Sequence, residues 1–400
     1  MSYTPTQKIL DNYADVLVNF AINGCNGIKK GEVVSLEVPE CAKPILLSLQ
    51  KAVLKSGAHY ITHYLPEGTS RQFFELAQEH QINFFPEKYL RSKVDQLDHS
   101  ISILSTTNHK ELEGISPEKI MNRSKSFKPY KDWREEKENN GKYTWTLALY
   151  GTEEMAKEAG LSLKEYWNQI IKACYLDLSD PILQWRKSIK EVERVKDKLN
   201  DLPIQDIRIK SQGTDLTIGI DKYRKWLGGS GRNIPSFEVF ISPDWRKTEG
   251  FIEFDMPLYR YGNRIEGIKL EFKEGCVVKS NAKTNYNVLK EMIMAENADK
   301  VGEFSLTDIR LSKIDKFMAE TLFDENFGGK FGNIHIALGS AYKDSFPTDP
   351  SKISKEKWKE LGYNESVVHT DMISTLNREV TAILEDNTHL IIYRDGKFLI

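Results

Sequence analysis

The sequence contains little cysteine and carries almost no net charge. Its 400 residues include four cysteines, without the CxxC pairs or short spacings of a zinc knuckle or a disulfide framework. The 56 basic and 58 acidic residues leave a formal charge of −2, so no basic field favours nucleic acid or an anionic membrane surface. We therefore expect a globular protein of the reducing cytoplasm, with neither nucleic acid nor membrane as a partner.

Long apolar segments and nucleotide-binding signatures are absent as well. No run of about 18 apolar residues occurs, so no transmembrane helix is expected. The segment MSYTPTQKILDNYADVLVNFAING lacks a basic region followed by an uninterrupted apolar one, and we do not expect a signal peptide. The glycine-rich stretch WLGGSGRNIP has neither the GxxxxGK nor the GxGxxG spacing, which argues against a nucleotide site.

The residue pattern changes twice along the chain, and these changes predict its organisation. Strand and helix patterns alternate over residues 1–180, which indicates an α/β N-terminal domain with a mostly parallel sheet. A strongly charged helical pattern over 181–202 predicts a connector helix. Hairpin patterns then dominate 203–400, which predicts a β-rich α+β C-terminal domain. Every candidate site residue falls in this last region, so we take it as the catalytic domain.

Six ionisable residues of the second domain interrupt otherwise apolar or glycine-rich stretches. In VVHTDMI, for example, the histidine and the aspartate are two residues apart, so in a strand both would project to the same face. For each residue alone, an exposed strand position, a solvated loop acid or a hydrogen-bonded core histidine is a sound alternative interpretation. The six candidates are Glu238, Glu303, Glu325, His335, His369 and Asp371.

Taken together, the six residues have the composition of a two-metal site. Nitrogen and oxygen ligands without thiolate suit Zn²⁺, Co²⁺ or Mn²⁺, with a carboxylate bridging the ions. Two such ions can activate a shared water and polarise a carbonyl or phosphoryl group. The sequence therefore predicts a hydrolase, and the ligand types alone leave open whether its substrate is a peptide, another amide or a phosphoester.

Six motifs, in order, resemble the thermophilic-aminopeptidase family of metallo-aminopeptidases. They are SQGTDLTIGI, GRNIPSFEVFISPD, GNRIEGIKLEF, VGEFSL, LFDEN with GNIHIALGSAY, and VVHTDM, and they cover nearly all of the second domain. The resemblance implies that the six candidates bind two divalent ions, with Glu303 as the bridge between them. It further implies an exopeptidase that removes N-terminal residues from short peptides and works as a homodimer with enclosed active sites.

The resemblance also suggests roles for residues outside the ligand set. Tyr342, seven residues after His335, is a candidate oxyanion donor, with a tyrosine packed at a strand end as the alternative. Arg232, Asn233 and Asp324 are candidates for orienting the ligands. The sequence leaves open the native metal, the preferred N-terminal residue, the acid that passes a proton to the leaving amine, and whether the first domain shapes a substrate chamber or mediates assembly.

Overall fold

The computed structural model describes residues 3–400, and the chain divides into two compact units. The first unit consists of the chain up to Ser188 together with two later segments, Ser230–Ser236 and Phe317–Phe323. The second unit consists of Ile189–Gly229, Phe237–Lys316 and Asp324–Ile400. The predicted helix between the domains is present at Pro181–Asn200, and the division between the units falls inside it. Its role as a connector, and the predicted limits at residues 180 and 203, remain predictions.

Strands occur in both units and are numbered in chain order. They are β1 (Val33–Pro39), β2 (His59–Leu65), β3 (His99–Leu104), β4 (Thr144–Leu149), β5 (Ile204–Ser211), β6 (Thr214–Gly219), β7 (Asn233–Ile234), β8 (Glu238–Ile241), β9 (Asp244–Phe254), β10 (Leu258–Arg260), β11 (Asn263–Ile265), β12 (Ile268–Lys273), β13 (Cys276–Asn281), β14 (Val301–Thr307), β15 (Asn333–Gly339), β16 (His369–Ser374), β17 (Arg378–Leu384), β18 (His389–Arg394) and β19 (Lys397–Phe398).

The α-helices lie mostly in the first unit. They are Gln7–Val16, Ile22–Cys25, Lys43–Lys55, Thr69–Leu76, Glu79–Ile82, Glu87–Gln96, Pro117–Ser126, Lys128–Asn139, Glu153–Glu158, Leu163–Ala173, Pro181–Asn200, Tyr286–Ile293, Thr321–Asp324 and Lys355–Glu360, with a π-helical segment at Leu17–Ala21 and 3-10 turns at Glu40–Ala42, Lys343–Ser345 and Pro350–Lys352. Within residues 3–400, no helix combines the length and the apolar composition that crossing a membrane requires.

The first unit contains a parallel sheet of order β2-β1-β3-β4-β7. The central strands β1 and β3 have no exposed residue and are mostly buried, as expected for strands that helices cover on both faces. The helix Lys43–Lys55 connects β1 to β2 and buries Ile45, Leu49 and Val53, which recur at the spacing of one helical face. This arrangement confirms the predicted α/β class with a parallel sheet.

The second unit contains two larger antiparallel sheets and a short hairpin. One sheet has eight strands in the order β13-β12-β9-β6-β5-β17-β18-β19, and the other has four in the order β16-β15-β14-β8. Strands β10 and β11 form the separate hairpin. Apolar side chains from both sheets share one buried core. The predicted β-rich α+β class is thereby confirmed.

Candidate metal centre

Three neighbouring strands of the four-stranded sheet present their ionisable residues on one face. Residues that pair across strands project to the same face, and so do residues two apart within a strand. Glu303 and Asp371 both pair with Ala337. His335 lies two residues before Ala337 in β15, and His369 lies two residues before Asp371 in β16. These four candidates therefore project together.

The edge strand β8 adds a fifth candidate to the same face. Glu238 pairs with Thr307, which lies four residues after Glu303 in β14. Ser305, between them on this face, donates a hydrogen bond from its hydroxyl to Glu238 Oε2 at 3.1 Å. The hydroxyl therefore fixes the carboxylate of Glu238, which is 5% exposed.

The opposite face of the same sheet is apolar and explains why these strands fold as they do. Phe304, Leu306, Ile336 and Met372 alternate with the ionisable residues and belong to the buried core of the second unit. Strands β14 and β15 are buried along their whole length. One sheet face thus stabilises the unit while the other holds buried polar groups, which require partners.

A β-bulge in β14 sets the position of Glu303. The pairing of β14 with β15 shifts between Val301 and Glu303, so Gly302 is the extra residue. A Cβ atom on Gly302 would lie 2.4 Å from the carbonyl oxygen of Ser340 and 2.6 Å from that of Gly339. The group that approaches this glycine closely is therefore the backbone at the end of β15 and directly after it.

The carboxylate of Glu303 lies between the two histidines. Its Oε1 is 3.3 Å from His335 Nε2, and its Oε2 is 3.2 Å from His369 Nε2. Each oxygen therefore faces a different imidazole, as a carboxylate that bridges two ions requires. Glu303 is 4% exposed, so its charge is almost fully removed from water.

A backbone hydrogen bond fixes the imidazole of His369. Its Nδ1 lies 2.8 Å from the carbonyl oxygen of Ser340. A carbonyl only accepts, so Nδ1 carries a hydrogen, and Nε2 is the ring nitrogen that faces the carboxylates and can bind a metal ion once it is deprotonated. Nε2 lies 3.5 Å from Oδ1 of Asp371. This orientation, with one ring nitrogen held by a carbonyl, is typical of metal-binding histidines.

Glu325 joins the cluster from outside the sheet. It follows the helix Thr321–Asp324 directly and is 6% exposed. The next residue, Asn326, accepts a hydrogen bond on its side-chain oxygen from the backbone nitrogen of Phe237 at 2.6 Å. Because Phe237 precedes Glu238, this bond ties together the segments that carry Glu238 and Glu325.

The candidates form three overlapping groups whose possible ligand atoms lie within 4.8 Å of one another. The shared members connect them into one cluster of four carboxylates and two imidazoles, a donor set that fits Zn²⁺, Co²⁺ or Mn²⁺. The groups are Glu238 with Glu303 and His335, Glu303 with His369 and Asp371, and Glu325 with His335 and Asp371.

In the absence of metal, the cluster balances its negative charge by holding protons. Burial would lower the pKa of His335, but its bond to Glu303 and the charge of Glu238 raise it to about 9. Burial likewise opposes the charge of His369, yet Asp371 and Glu303 raise its pKa to about 10. Burial raises the pKa of Glu238 to about 7, because His335 offsets only part of the cost. A metal ion has to displace these protons, so metal binding weakens as the pH falls.

Tyr342 lies beside the cluster, next to one of its histidines. Its ring centre is 5.1 Å from that of His369, edge to face, and 5.6 Å from that of Phe240. The backbone nitrogen of Tyr342 donates a hydrogen bond to the hydroxyl of Ser242 at 2.8 Å. The tyrosine is thus held near the candidate ligands by its ring and by its backbone.

The residues suggested for orienting the ligands are distributed between the two units. Asp324 is 4% exposed and directly precedes Glu325 in the second unit. Arg232 and Asn233 belong to the first unit, where Arg232 forms an ion pair with Glu138 at 2.8 Å. An orienting role for each of the three remains a prediction.

The supports of the centre include groups that no sequence pattern indicates. The Ser340 carbonyl group that accepts the hydrogen bond from His369 belongs to the backbone. Every residue type has such a group, so the sequence does not mark it. The side-chain amide of Asn326 accepts a hydrogen bond from Phe237, which is 89 residues away in the chain. Only Gly302 leaves a signal in the sequence, because a glycine inside an apolar strand is typical of a bulge or a close backbone approach.

Comparisons with known proteins match almost the whole chain. The profile of the family described as thermophilic metalloprotease (M29) matches residues 6–398. Aminopeptidase PepS of Streptococcus thermophilus is 29% identical, over 98% of this chain and 98% of its own. Aminopeptidase T of Thermus thermophilus is 27% identical, over 98% of this chain and 99% of its own. The solved structure of wild-type AmpT from Thermus thermophilus has the same fold, with a TM-score of 0.82 and 24% identity over 98% of this chain and 100% of that chain.

Proposed function

Because the chain belongs to the thermophilic metalloprotease (M29) family, we propose that it is a metal-dependent aminopeptidase that releases N-terminal amino acids from short peptides at a two-metal site. The predicted family is confirmed, and so is the predicted enzyme class, a metallo-aminopeptidase, since the relatives are named aminopeptidases. The homodimer and the cytoplasmic location expected from the sequence remain predictions.

The observation that carries the proposal is the position of Glu303 between two histidines. Its two oxygens face His335 and His369 at 3.3 and 3.2 Å. We assign Glu303 as the bridging ligand on this ground. The other proposed ligands of the two ions are Glu238, Glu325, His335, His369 and Asp371.

Two bound ions would supply an activated bridging water and polarise the scissile carbonyl. The protein's contribution is to hold the ligands in place before substrate arrives. Ser305 holds the carboxylate of Glu238, and the Ser340 carbonyl holds the ring of His369 with Nε2 toward the cluster. The burial of Glu238, Glu303 and His335 keeps bulk water from these ligands, which strengthens the electrostatic interactions they make.

Chelation is expected to lower hydrolysis of leucine p-nitroanilide by at least about 100-fold, because the ions would activate the water that attacks the scissile carbonyl. Adding back Zn²⁺, Co²⁺ or Mn²⁺ should restore turnover and rank the three metals. The measurement is initial rate together with bound metal per chain. Turnover that persists in metal-free protein would contradict the proposal.

Hydrolysis of 4-nitrophenyl phosphate without cleavage of the anilide would instead favour a two-metal hydrolase of a phosphoester or another amide, which the relatives' names do not favour.

Tyr342 is the proposed oxyanion donor. A substitution by phenylalanine removes its hydroxyl group and keeps its aromatic ring. Tyr342→Phe keeps the contact with His369 and should lower kcat by about 10²- to 10³-fold, the usual loss of one such donor. Bound metal per chain should stay at the wild-type value, because the tyrosine is not a proposed ligand. A fall in kcat of less than about threefold would assign the tyrosine to packing at the strand end.

A further inference from the structure

The segment before the β10–β11 hairpin runs along the free edge of β16, the strand that carries His369 and Asp371. The backbone nitrogen of Thr375 donates to Asp255 Oδ1 at 2.7 Å, and that of Met256 donates to the carbonyl oxygen of Ile373 at 3.3 Å. As the segment advances from residue 255 to 256, its partners move back from 375 to 373. One of these bonds is accepted by a side chain, and together with the packing of β10 on β16 they indicate that the segment runs antiparallel to β16.

In this antiparallel arrangement, the C-terminal end of β10 lies level with the N-terminal start of β16. Strand β10 packs on β16 and ends at Arg260. Tyr261 and Gly262 both have positive φ, 52° and 73°, and make a tight two-residue turn of the type that holds hairpins rigid. Arg260 thus lies beside the His369–Asp371 stretch of β16.

The guanidinium of Arg260 has unused donor capacity. Its Nε is buried and makes no hydrogen bond within residues 3–400. The guanidinium carbon Cζ lies 5.0 Å from the ring centre of Tyr261, a cation–π contact that uses no N–H group. A buried N–H without an acceptor is unfavourable, and the preferred partner of a guanidinium is a carboxylate bound through two hydrogen bonds.

We propose that Arg260 binds the free α-carboxylate of the substrate and so makes the enzyme selective for dipeptides and tripeptides. This inference rests on the proposed aminopeptidase function and names the substrate class of the same site. The four ligand carboxylates balance the charge of two divalent ions, so the loaded centre itself does not attract a substrate anion. The α-carboxylate of a dipeptide or tripeptide lies one or two residues beyond the scissile bond, about 3.5 Å for each residue, and in a longer peptide it lies beyond the reach of Arg260.

The kinetic test compares Leu-Gly with Leu-Gly-amide, which differ only in the carboxylate. The wild-type enzyme should favour the acid in kcat/KM, mainly through KM, by about 10- to 100-fold. Arg260→Gln should remove most of this preference, and Arg260→Lys should restore part of it because the charge is kept but the planar fork is lost. Arg264→Gln is the matched control: it removes the same charge from the same hairpin, and Arg264 already pairs with Glu266 at 2.8 Å.

Binding of a ligand that is not hydrolysed separates this inference from the proposed function. Isothermal titration calorimetry would use the reduced-bond analogue of Leu-Gly, as acid and as carboxamide, with metal-loaded wild type and Arg260→Gln. We expect the wild type to bind the acid about 10- to 100-fold more tightly and the variant to bind both nearly equally. An unchanged acid preference in Arg260→Gln, or no preference in the wild type, would overturn the role of Arg260. Absence of peptide hydrolysis with the acid preference intact would overturn the proposed function alone.

Discussion

Glu303→Gln is expected to lower kcat/KM for leucine p-nitroanilide by well over 100-fold, beyond the roughly 10- to 100-fold loss that residues supporting a ligand cause. The variant should also lose at least one of two bound ions per chain. The reason is that Glu303 presents one oxygen to the side of His335 and the other to the side of His369. An amide keeps the shape of the side chain but has one oxygen and no charge, so it cannot bridge two cations.

The experiment measures steady-state kinetics and metal content on the same samples. Glu271→Gln is the matched control, since Glu271 is an exposed glutamate on strand β12 of the same unit. That variant should keep wild-type rates and metal. Circular dichroism of both variants and wild type in chelator checks that the fold is unchanged. If Glu303→Gln retained two ions and near-wild-type turnover, the bridging assignment would be wrong.

Gly302→Ala is expected to weaken metal binding by about 10- to 100-fold and to lower the free energy of unfolding by about 1–3 kcal/mol. The added Cβ would lie 2.4 Å from the Ser340 carbonyl oxygen, a contact that requires the backbone to move. Two bonds restrain that segment: Ser340 O accepts from His369 Nδ1 at 2.8 Å, and Gly339 O accepts from Asn364 Nδ2 at 2.6 Å. Movement there transmits strain directly to the ring of His369.

Metal titration and chemical denaturation measure the two effects of Gly302→Ala separately. The control is Gly219→Ala, a strand glycine beside a bulge in the eight-stranded sheet of the same unit. Its Cβ would meet the side chain of Lys247 at 2.5 Å, so this variant should also lose stability. Metal affinity should nevertheless stay near the wild-type value. Equal losses of affinity in the two variants would mean that the effect of Gly302 is not specific to the centre.

The local features of the centre could be predicted from sequence, whereas its assembly could not. The two-residue spacing of His369 and Asp371 predicts that they share a face, and they are in contact at 3.5 Å. Strand periodicity does not specify which strands become neighbours, so the order β16-β15-β14-β8 has no local signal. Glu325 reaches the cluster through tertiary structure alone. Arg260, in the polar turn YRYGNR, has the sequence context of an ordinary solvated residue.

The two-faced sheet has a consequence for the lifetime of the protein in a cell. Its ligand face packs buried carboxylates together, and bound protons or metal ions relieve most of their repulsion. Binding of one ion present at 100 times its Kd stabilises the folded chain by about 2.7 kcal/mol. In a cell starved of metal, the chain would therefore unfold more often and be degraded faster. The amount of this enzyme would then follow the metal supply even if its synthesis stayed constant.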